Sequence, residues 1–147
     1  MDEVDVRILK ILINNGRQTV SEISSQVNLS IPAVSERIRK LEKSGIIDKY
    51  IAVLNPKKLK KDITAVMFVG IERVKPVTEF LNLVNNTDDI LECHYIAGDY
   101  DYLLKITTEN TSTLEKILNS IKSVKGVQKT KTVFVLSTTK DNKSVNP

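Results

Sequence analysis

The chain has 147 residues and a formal net charge of +4, with 41% hydrophobic residues, 27% charged residues, one cysteine and one histidine. This balance is typical of a globular protein of one domain or two small ones, and it leaves too few Cys and His residues for a disulfide scaffold, a zinc site or much catalysis. No apolar run approaches the ~18 residues of a membrane span and no signal peptide opens the chain, so we expect a cytoplasmic protein with no membrane contact and no cofactor.

Capping residues and apolar stripes predict two helices before residue 29. Asp2 is the expected N-cap of the first helix, which Gly16 ends. Thr19 and Glu22 form a T-x-x-E capping box for the second helix, which ends near Asn28, a residue that tolerates a left-handed backbone. Apolar side chains recur every three or four residues in both helices, so each is expected to bury one face.

A third helix is predicted from the N-cap Ser30 to Gly45, with Pro32 in its first turn. Its apolar residues share one face, and the other side and its flanks carry a polar and basic set: Pro32, Ser35, Glu36, Arg37, Arg39, Lys40 and Lys43. Two helices joined by about three residues, the second with a basic outer face, are typical of a DNA-binding helix-turn-helix. The alternative is a three-helix bundle whose lysines are merely solvated.

The basic charge is concentrated at this helix and just after it. Residues 1–45 carry a net charge of +1, residues 46–62 carry +3, and residues 63–140 are neutral. Because Arg and Lys neutralise phosphates while polar side chains reach base edges in the major groove, double-stranded DNA is the expected partner. Expected phosphate contacts are Arg39, Lys40, Lys43 and the linker lysines. Expected base contacts are Pro32, Ser35, Glu36 and Arg39, and Ser30 and Arg37 complete the DNA-binding set.

The rest of the chain alternates between strand and helix patterns. A short strand is predicted over 46–54 and a lysine-rich linker over 57–61. The order βαββαβ follows, which is that of a ferredoxin-like unit. Its strands are predicted over 63–72, 90–97, 101–108 and 127–136, and its helices over 76–86 and from a Ser112/Glu115 capping box to Gly126.

The predicted fold class is therefore α+β, with four segments in chain order. We expect a helix-turn-helix, winged-helix-like domain over 1–47 and a strand and basic linker over 48–62. A ferredoxin-like domain for ligand sensing and oligomerisation is expected over 63–140, and a polar tail over 141–147.

The first strand of the second domain is apolar on both faces. Ala65, Met67 and Val69 alternate with Val66 and Phe68. Two helices cover only one face of a four-stranded sheet, so a second copy of the chain is the simplest cover for the other. We therefore expect a homodimer, which also suits DNA recognition because two recognition helices read two half-sites.

Short motifs over residues 2–136 stand in an order and spacing that is similar to a known family. The chain opens with a D-x-x-D-x-x-I-L pattern from Asp2 to Leu9, Asn15-Gly16-Arg17 precedes the second helix, and Leu29-Ser30 opens the third. Further along come Gly45-Ile46-Ile47, Asn55-Pro56, Gly98-Asp99-Tyr100-Asp101 within the stretch 93–104, and Gly126-Val127 with Thr130 and Thr132. Together they resemble the Lrp/AsnC family of prokaryotic transcription regulators.

This resemblance implies a DNA-binding dimer that assembles further, often to an octamer, with an amino acid bound between neighbouring sensor domains. The ligand-binding residues would be Tyr95, Ala97, Gly98, Asp99, Tyr100, Asp101, Thr130 and Thr132. The carboxylates of Asp99 and Asp101 would accept hydrogen bonds from an ammonium group, and threonine hydroxyls and backbone N–H groups would donate to a carboxylate. The alternative is a plain β-hairpin, because Gly-Asp is ordinary turn chemistry.

Two other functions remain open on sequence alone. Some proteins that resemble this family are enzymes that decarboxylate sirohaem with histidines at the site, and only His94 would serve here. The other alternative is a ligand sensor that has lost DNA contact. Single His and Cys residues are more often structural, so we expect His94 and Cys93 to be structural and the chain not to be an enzyme.

Overall fold

The computed structural model describes residues 1–72 and 77–147, which divide into two units, 1–53 with 140–147 and 54–139. Arg73 to Pro76 lie outside the described residues, and with them the start of the helix predicted over 76–86. No helix among the described residues is long and apolar enough to span a membrane.

The first unit contains the three predicted helices, α1 (Glu3–Asn14), α2 (Val20–Val27) and α3 (Ile31–Lys43). The three expected N-caps are confirmed, because the side chains of Asp2, Thr19 and Ser30 each accept a hydrogen bond from a backbone N–H three residues on. Each cap satisfies an N–H that the first helical turn leaves without a partner. The helices pack around a common core of Ile8, Leu9, Ile23, Val27, Val34 and Leu41.

The turn between α2 and α3 has the expected helix-turn-helix geometry. Asn28 ends α2 in the left-handed region at φ 55° and ψ 45°. Leu29 packs against the core of the unit, and Ser30 then begins α3. A polar residue that tolerates positive φ therefore allows the chain to reverse within three residues.

The strand predicted over 46–54 is absent, and the expectation was wrong. The described residues show no regular element between Lys43 and Lys57, and the side chains of Ile51, Val53 and Leu54 are exposed. The segment is rich in apolar and β-branched residues, as strands are, but a strand also needs a neighbour for its backbone hydrogen bonds. The described residues provide none at this segment, so the wing of a winged helix is not formed as a strand here.

The second unit has the predicted βαββαβ order. A 3₁₀ turn (Lys57–Leu59) leads into β1 (Ile63–Ile71), α4 (Thr78–Asn85), β2 (Ile90–Tyr95), β3 (Tyr102–Thr108), α5 (Thr111–Lys122) and β4 (Val127–Phe134). The sheet order is β2-β3-β1-β4, with every neighbouring pair antiparallel. The two central strands, β1 and β3, are the two most buried ones, because only they are flanked on both sides.

The two faces of this sheet have different surroundings. Ala65, Met67, Val69, Leu104 and Ile106 are buried in one cluster with apolar residues of α4 and α5. On the opposite face, Val66 and Phe68 remain partly exposed in the single chain. One face is therefore covered within the chain, as expected, and the other is open.

Two details of α5 differ from the prediction. Its N-cap is Asn110, whose side chain accepts from the backbone of Thr113, and not Ser112. The helix ends at Lys122 rather than at Gly126, which has a φ of 103° immediately before β4. The sequence contains two overlapping cap patterns, and the end of β3 at Thr108 leaves room for the earlier one.

Candidate DNA-binding surface and effector site

One face of α3 is buried and the other is exposed along its whole length. Val34 and Leu41 lie in the core of the first unit, and the expected DNA-binding side chains on the other side of the helix are exposed: Pro32, Ser35, Glu36, Arg39, Lys40 and Lys43. The basic residues Lys40 and Lys43 fall in the last turn, where they also complement the helix dipole. The helix thus presents a convex, basic face of the width that fits a major groove.

Arg39 and Glu36 form a bidentate ion pair on this exposed face. Arg39 donates from Nε to Glu36 Oε2 at 2.8 Å and from Nη2 to Oε1 at 2.7 Å, and Lys40 Nζ lies 3.9 Å from the same Oε1. The hydrogen bonds from Arg39 lower the pKa of Glu36 and raise the pKa of Arg39. Because the pair is solvated, it orients both side chains without preventing Arg39 from turning to an anion.

Arg37, another member of the expected set, has a different environment. Its Nη1 donates to Asp2 Oδ2 at 2.8 Å and to Asp5 Oδ1 at 2.7 Å. These bonds raise the pKa of Arg37. The pKa values of both carboxyl groups are lowered, first by the backbone N–H groups that they accept from and also by Arg37. The structure therefore places the Arg37 guanidinium against the start of α1.

Ser30 and one of the linker lysines, Lys61, also have partners. The Ser30 hydroxyl accepts from the Ala33 N–H at 3.4 Å as the N-cap of α3. Lys57, Lys58 and Lys60 are exposed, whereas Lys61 is bonded to the carboxylate of Asp89 in the second unit. Of the linker lysines, the first three remain available to an anionic partner.

In the second unit, the expected effector residues of the β2–β3 connection form a structured turn. Ile96 N donates to Asp101 O at 2.8 Å, and Asp101 N donates to Val69 O at 3.0 Å. Asp101 Oδ2 accepts from Ile71 N at 2.7 Å, so one of its carboxylate oxygens is already used to hold the turn against β1. Asp99 and Tyr95 are exposed, and Gly98 has a φ of 149° with open space beside it.

Tyr100 of the same turn lies on the open face of the sheet. Its ring centroid is 5.7 Å from that of Phe68, and Lys129 Nζ lies 4.6 Å from the Tyr100 centroid. The ammonium group therefore sits over the electron-rich face of the ring. The ring of Tyr100 thus already contacts two side chains of the sheet, Phe68 and Lys129.

Thr130 and Thr132 reach the same region from another strand. They pair with Val69 and Met67 in the antiparallel β1–β4 ladder and are half-buried. Since Val69 also accepts from Asp101 N, the turn and Thr130 lie at one end of the sheet with β1 between them. Side chains alternate between faces, so the two threonines share the helix-covered face with Val69, while Tyr100 contacts Phe68 on the other.

His94 and Cys93 have ordinary structural surroundings. His94 Nε2 lies 3.3 Å from Glu92 Oε2, and Lys105 donates to the same carboxylate at 3.0 Å. Cys93 is half-buried against the core, and burial raises the pKa of its thiol.

Two polar clusters were not predicted from the sequence. One is the Asp2–Asp5–Arg37 cluster. The other joins Lys61, Asp89 and Thr108, where the Thr108 hydroxyl donates to Asp89 Oδ2 at 2.5 Å. An arginine at a helix position that is usually apolar was the only sequence signal for the first cluster. The second cluster has no such signal, because Lys61 and Thr108 lie 28 and 19 residues from Asp89 in the sequence.

Comparison with known proteins identifies both units. A family model described as the Lrp/AsnC ligand binding domain matches residues 64–145, and one described as a winged helix-turn-helix DNA-binding domain matches residues 1–48. The HTH-type transcriptional regulator FL11 of Pyrococcus abyssi is 38% identical over 141 residues, covering 96% of this chain and 93% of that protein. The leucine-responsive regulatory protein of Escherichia coli is 34% identical over 145 residues, covering 97% and 88%.

A solved structure is similar over nearly the whole length. It is the transcriptional regulator NMB0573 of Neisseria meningitidis in complex with L-Met, with a TM-score of 0.94 at 31% identity, covering 99% of this chain and 96% of that one. These relatives are transcription regulators rather than enzymes. The α+β fold predicted from the sequence is confirmed.

Proposed function

Because the chain belongs to the Lrp/AsnC family of transcription regulators, we propose that it reads a specific DNA sequence with α3 and that an amino acid bound to its second unit changes this binding. The observation that carries the proposal is α3 itself. Its apolar face is buried in the first unit, and its exposed face carries Arg39, Lys40 and Lys43. A DNA-binding regulator acts where the chromosome is, so we place it in the cytoplasm.

Within this interface we assign the residues two tasks. Arg39, Lys40 and Lys43 neutralise phosphates, and Lys57, Lys58 and Lys60 are further candidates for that role. Base edges are read by Pro32, Ser35, Glu36 and Arg39, with Ser30 at the amino terminus of the helix. The bidentate Arg39–Glu36 ion pair supports this assignment. It holds the guanidinium of Arg39 in one plane, which suits hydrogen bonds to the edge of a guanine, and the carboxylate of Glu36 is an acceptor for the amino group of cytosine.

The test of DNA binding is a salt titration. The affinity of the protein for a duplex selected from a randomised library is measured between low and moderate salt. We expect log K to fall linearly with log salt concentration, because bound phosphates release counterions. An affinity that does not change with salt would overturn the assignment and favour the alternative of a sensor without DNA contact.

We further propose that the chain acts as a homodimer through the open face of its sheet. Val66 and Phe68 are the apolar residues at the centre of that face, and a second copy is the simplest cover for them. A two-fold dimer presents two α3 helices to two half-sites. Sedimentation equilibrium distinguishes a monomer, a dimer and the octamer that the family resemblance suggests.

For the effector we propose an amino acid at the β2–β3 turn. The similar N. meningitidis regulator is a complex with L-Met, which supports this class of ligand. The candidate residues are Tyr95, Ala97, Gly98, Asp99, Tyr100, Asp101, Thr130 and Thr132. The exposed carboxylate of Asp99 is the best acceptor for an ammonium group, since Asp101 already holds Ile71 N.

A thermal-shift screen of the twenty amino acids tests the effector. A ligand that binds only the folded chain must raise its stability. We expect one or a few amino acids to raise Tm, and Asp99→Asn to remove the shift. No shift at millimolar concentrations would contradict the sensor role and leave the DNA-binding role standing.

A further inference from the structure

Arg37 lies on α3 but is bonded to α1. We propose that Arg37 is a positioning residue, which sets the orientation of the DNA-reading helix by joining it to Asp2 and Asp5 at the start of α1. It then contributes to sequence recognition without touching DNA. This inference rests on the proposed DNA-binding function and replaces the contact role that the sequence suggested for Arg37.

The geometry of the two carboxylates supports this role. Asp2 Oδ1 accepts from Asp5 N at 2.9 Å and Asp5 Oδ2 accepts from Asp2 N at 3.0 Å, which forms the reciprocal capping box of α1. The remaining oxygens, Asp2 Oδ2 and Asp5 Oδ1, both accept from Arg37 Nη1. All four carboxylate oxygens therefore have a donor, and the cap and the ion pairs hold one another in place.

The ion pairs of Arg37 restrain the rotation of α3, which apolar packing alone leaves free. Burial of Val34 and Leu41 holds α3 against the core, but the hydrophobic effect is not directional. Charge-assisted hydrogen bonds have a defined length and angle. The Asp5 side chain is only 15% exposed and that of Arg37 is 32% exposed, so this link is partly shielded from water. It restrains rotation of α3 about its own axis.

The same cluster is poorly suited to contact a phosphate. One guanidinium between two carboxylates leaves a local charge of about −1, and a phosphate at Arg37 would approach both acids as well. The exposed face used for DNA is built from Pro32, Glu36, Arg39 and Lys43, which succeed one another every three or four residues along the helix. Arg37 lies to the side of that row. A rotation of α3 would nevertheless displace every residue in it.

The first experiment compares Arg37→Gln with Arg39→Gln. Affinity is measured for a duplex selected by the wild-type protein and for a random duplex, each over a range of salt. Loss of a phosphate contact lowers the salt slope by about 0.9 for both duplexes. We expect this smaller salt slope for Arg39→Gln, because the substitution removes a guanidinium that we assign to a phosphate contact and a base contact.

For Arg37→Gln we expect an unchanged salt slope and a loss of about threefold to tenfold for the selected duplex alone, as suits the loss of two partly solvated ion pairs. The ratio of specific to non-specific affinity should fall by the same factor. Circular dichroism at the assay temperature checks that each variant is folded, so that the ratio does not report unfolding.

The second experiment uses a residue outside α3, for which charge and position predict opposite results. Asp2→Asn keeps an N-cap, because Asn caps as well as Asp, but it removes one partner of Arg37. It also removes a negative charge, which by electrostatics alone would strengthen DNA binding. We expect Asp2→Asn to weaken binding to the selected duplex by about twofold to fivefold. The matched control Glu3→Gln, one residue away on the exposed side of α1, should leave binding unchanged or strengthen it.

Two results would overturn the proposal while the DNA-binding function stands. One is a salt slope that falls for Arg37→Gln as it does for Arg39→Gln, which would make Arg37 a phosphate contact. The other is wild-type or stronger specific binding by Asp2→Asn. If the wild-type protein itself shows no salt-dependent DNA binding, the proposed function fails, and with it the reason for positioning α3.

Discussion

Asp89 joins the end of the linker to the sheet, and replacing it with Asn should destabilise the second unit. Its carboxylate accepts from Lys61 and from the Thr108 hydroxyl, the latter at 2.5 Å. Its backbone carbonyl accepts from Thr107 N at 2.9 Å. Asp89→Asn keeps the size of the side chain and its carbonyl oxygen. It removes the charge that pairs with Lys61 and turns one acceptor into a donor.

The magnitude follows from the exposure of the two partners of the Asp89 carboxylate. Thr108 is completely buried, so the hydrogen bond to it is not screened by water and is worth about 1.5 kcal/mol. The Lys61 side chain is 36% exposed, so its pair is screened and adds only about 0.5 kcal/mol. We expect Asp89→Asn to lower the free energy of unfolding of the second unit by about 2 kcal/mol at neutral pH.

The effect should depend on pH in a defined direction. Burial alone would raise the pKa of Asp89, but hydrogen bonds from Lys61 and Thr108 outweigh it, and the pKa lies below its usual value of 3.8. A carboxyl group whose pKa is lowered by folding contributes stability above its unfolded pKa. That stability is lost as pH falls through the folded pKa. The difference between wild type and variant should therefore be full at pH 6 to 7 and shrink below about pH 4.

Urea denaturation followed by circular dichroism, with the two transitions fitted separately, measures the effect. The matched control is Asp88→Asn, the same chemical change at the preceding, exposed position, and we expect a change within about 0.5 kcal/mol. Equal effects of the two substitutions, or a difference that does not change between pH 7 and pH 3, would refute the assignment of this network.

Three further predictions concern the turn, the core and the end of the first unit. Asn28→Val should destabilise the first unit by about 1–2 kcal/mol, because a β-branched residue is strained at φ 55°, and Asn28→Gly should be nearly neutral in the same denaturation assay. Phe80→Ala should cost the second unit about 3–5 kcal/mol in urea denaturation, since Phe80 is only 1% exposed within its core. Burial and a hydrogen bond to Glu42 raise the pKa of Tyr50 to about 12, so the ultraviolet titration of wild type minus Tyr50→Phe should show a midpoint there. Stability from this contact should persist below pH 10 and be lost as pH rises through that midpoint.

The parts of the fold that were predictable from sequence are those that depend on residues close together in the chain. The caps at Asp2, Thr19 and Ser30 and the left-handed Asn28 each depend on residues within one turn, and all four were correct. The cap of α5 shows the limit of such patterns, because two residue pairs match the spacing of a capping box, Asn110 with Thr113 and Ser112 with Glu115. Only the position at which β3 ends selects between them.

Features that depend on distant partners were not predictable. Residues 46–54 are rich in apolar and β-branched side chains, as strands are, but backbone pairing needs a neighbour, and the sequence does not say where one is. The bonds from Arg37 to Asp2 and Asp5 span 35 and 32 residues. Helical position alone placed Arg37 near the DNA-reading face. Its partners, which are set by how α1 crosses α3, are the basis of the positioning role that we propose for it.

The connection between the two units has a defined end on each side. The Tyr50 hydroxyl donates to Glu42 at 3.0 Å, which ties that end to α3, and Lys61 is bonded to Asp89 beside the sheet. Both residues lie inside the linker expected over 48–62. Between them, Lys57–Leu59 is held in a 3₁₀ turn by its own hydrogen bonds. Residues 51–54 lie between these two held ends, and all of their side chains are exposed. The backbone on either side of this segment is therefore held by bonds within its own unit, by Tyr50 to α3 on one side and by Lys61 to Asp89 on the other.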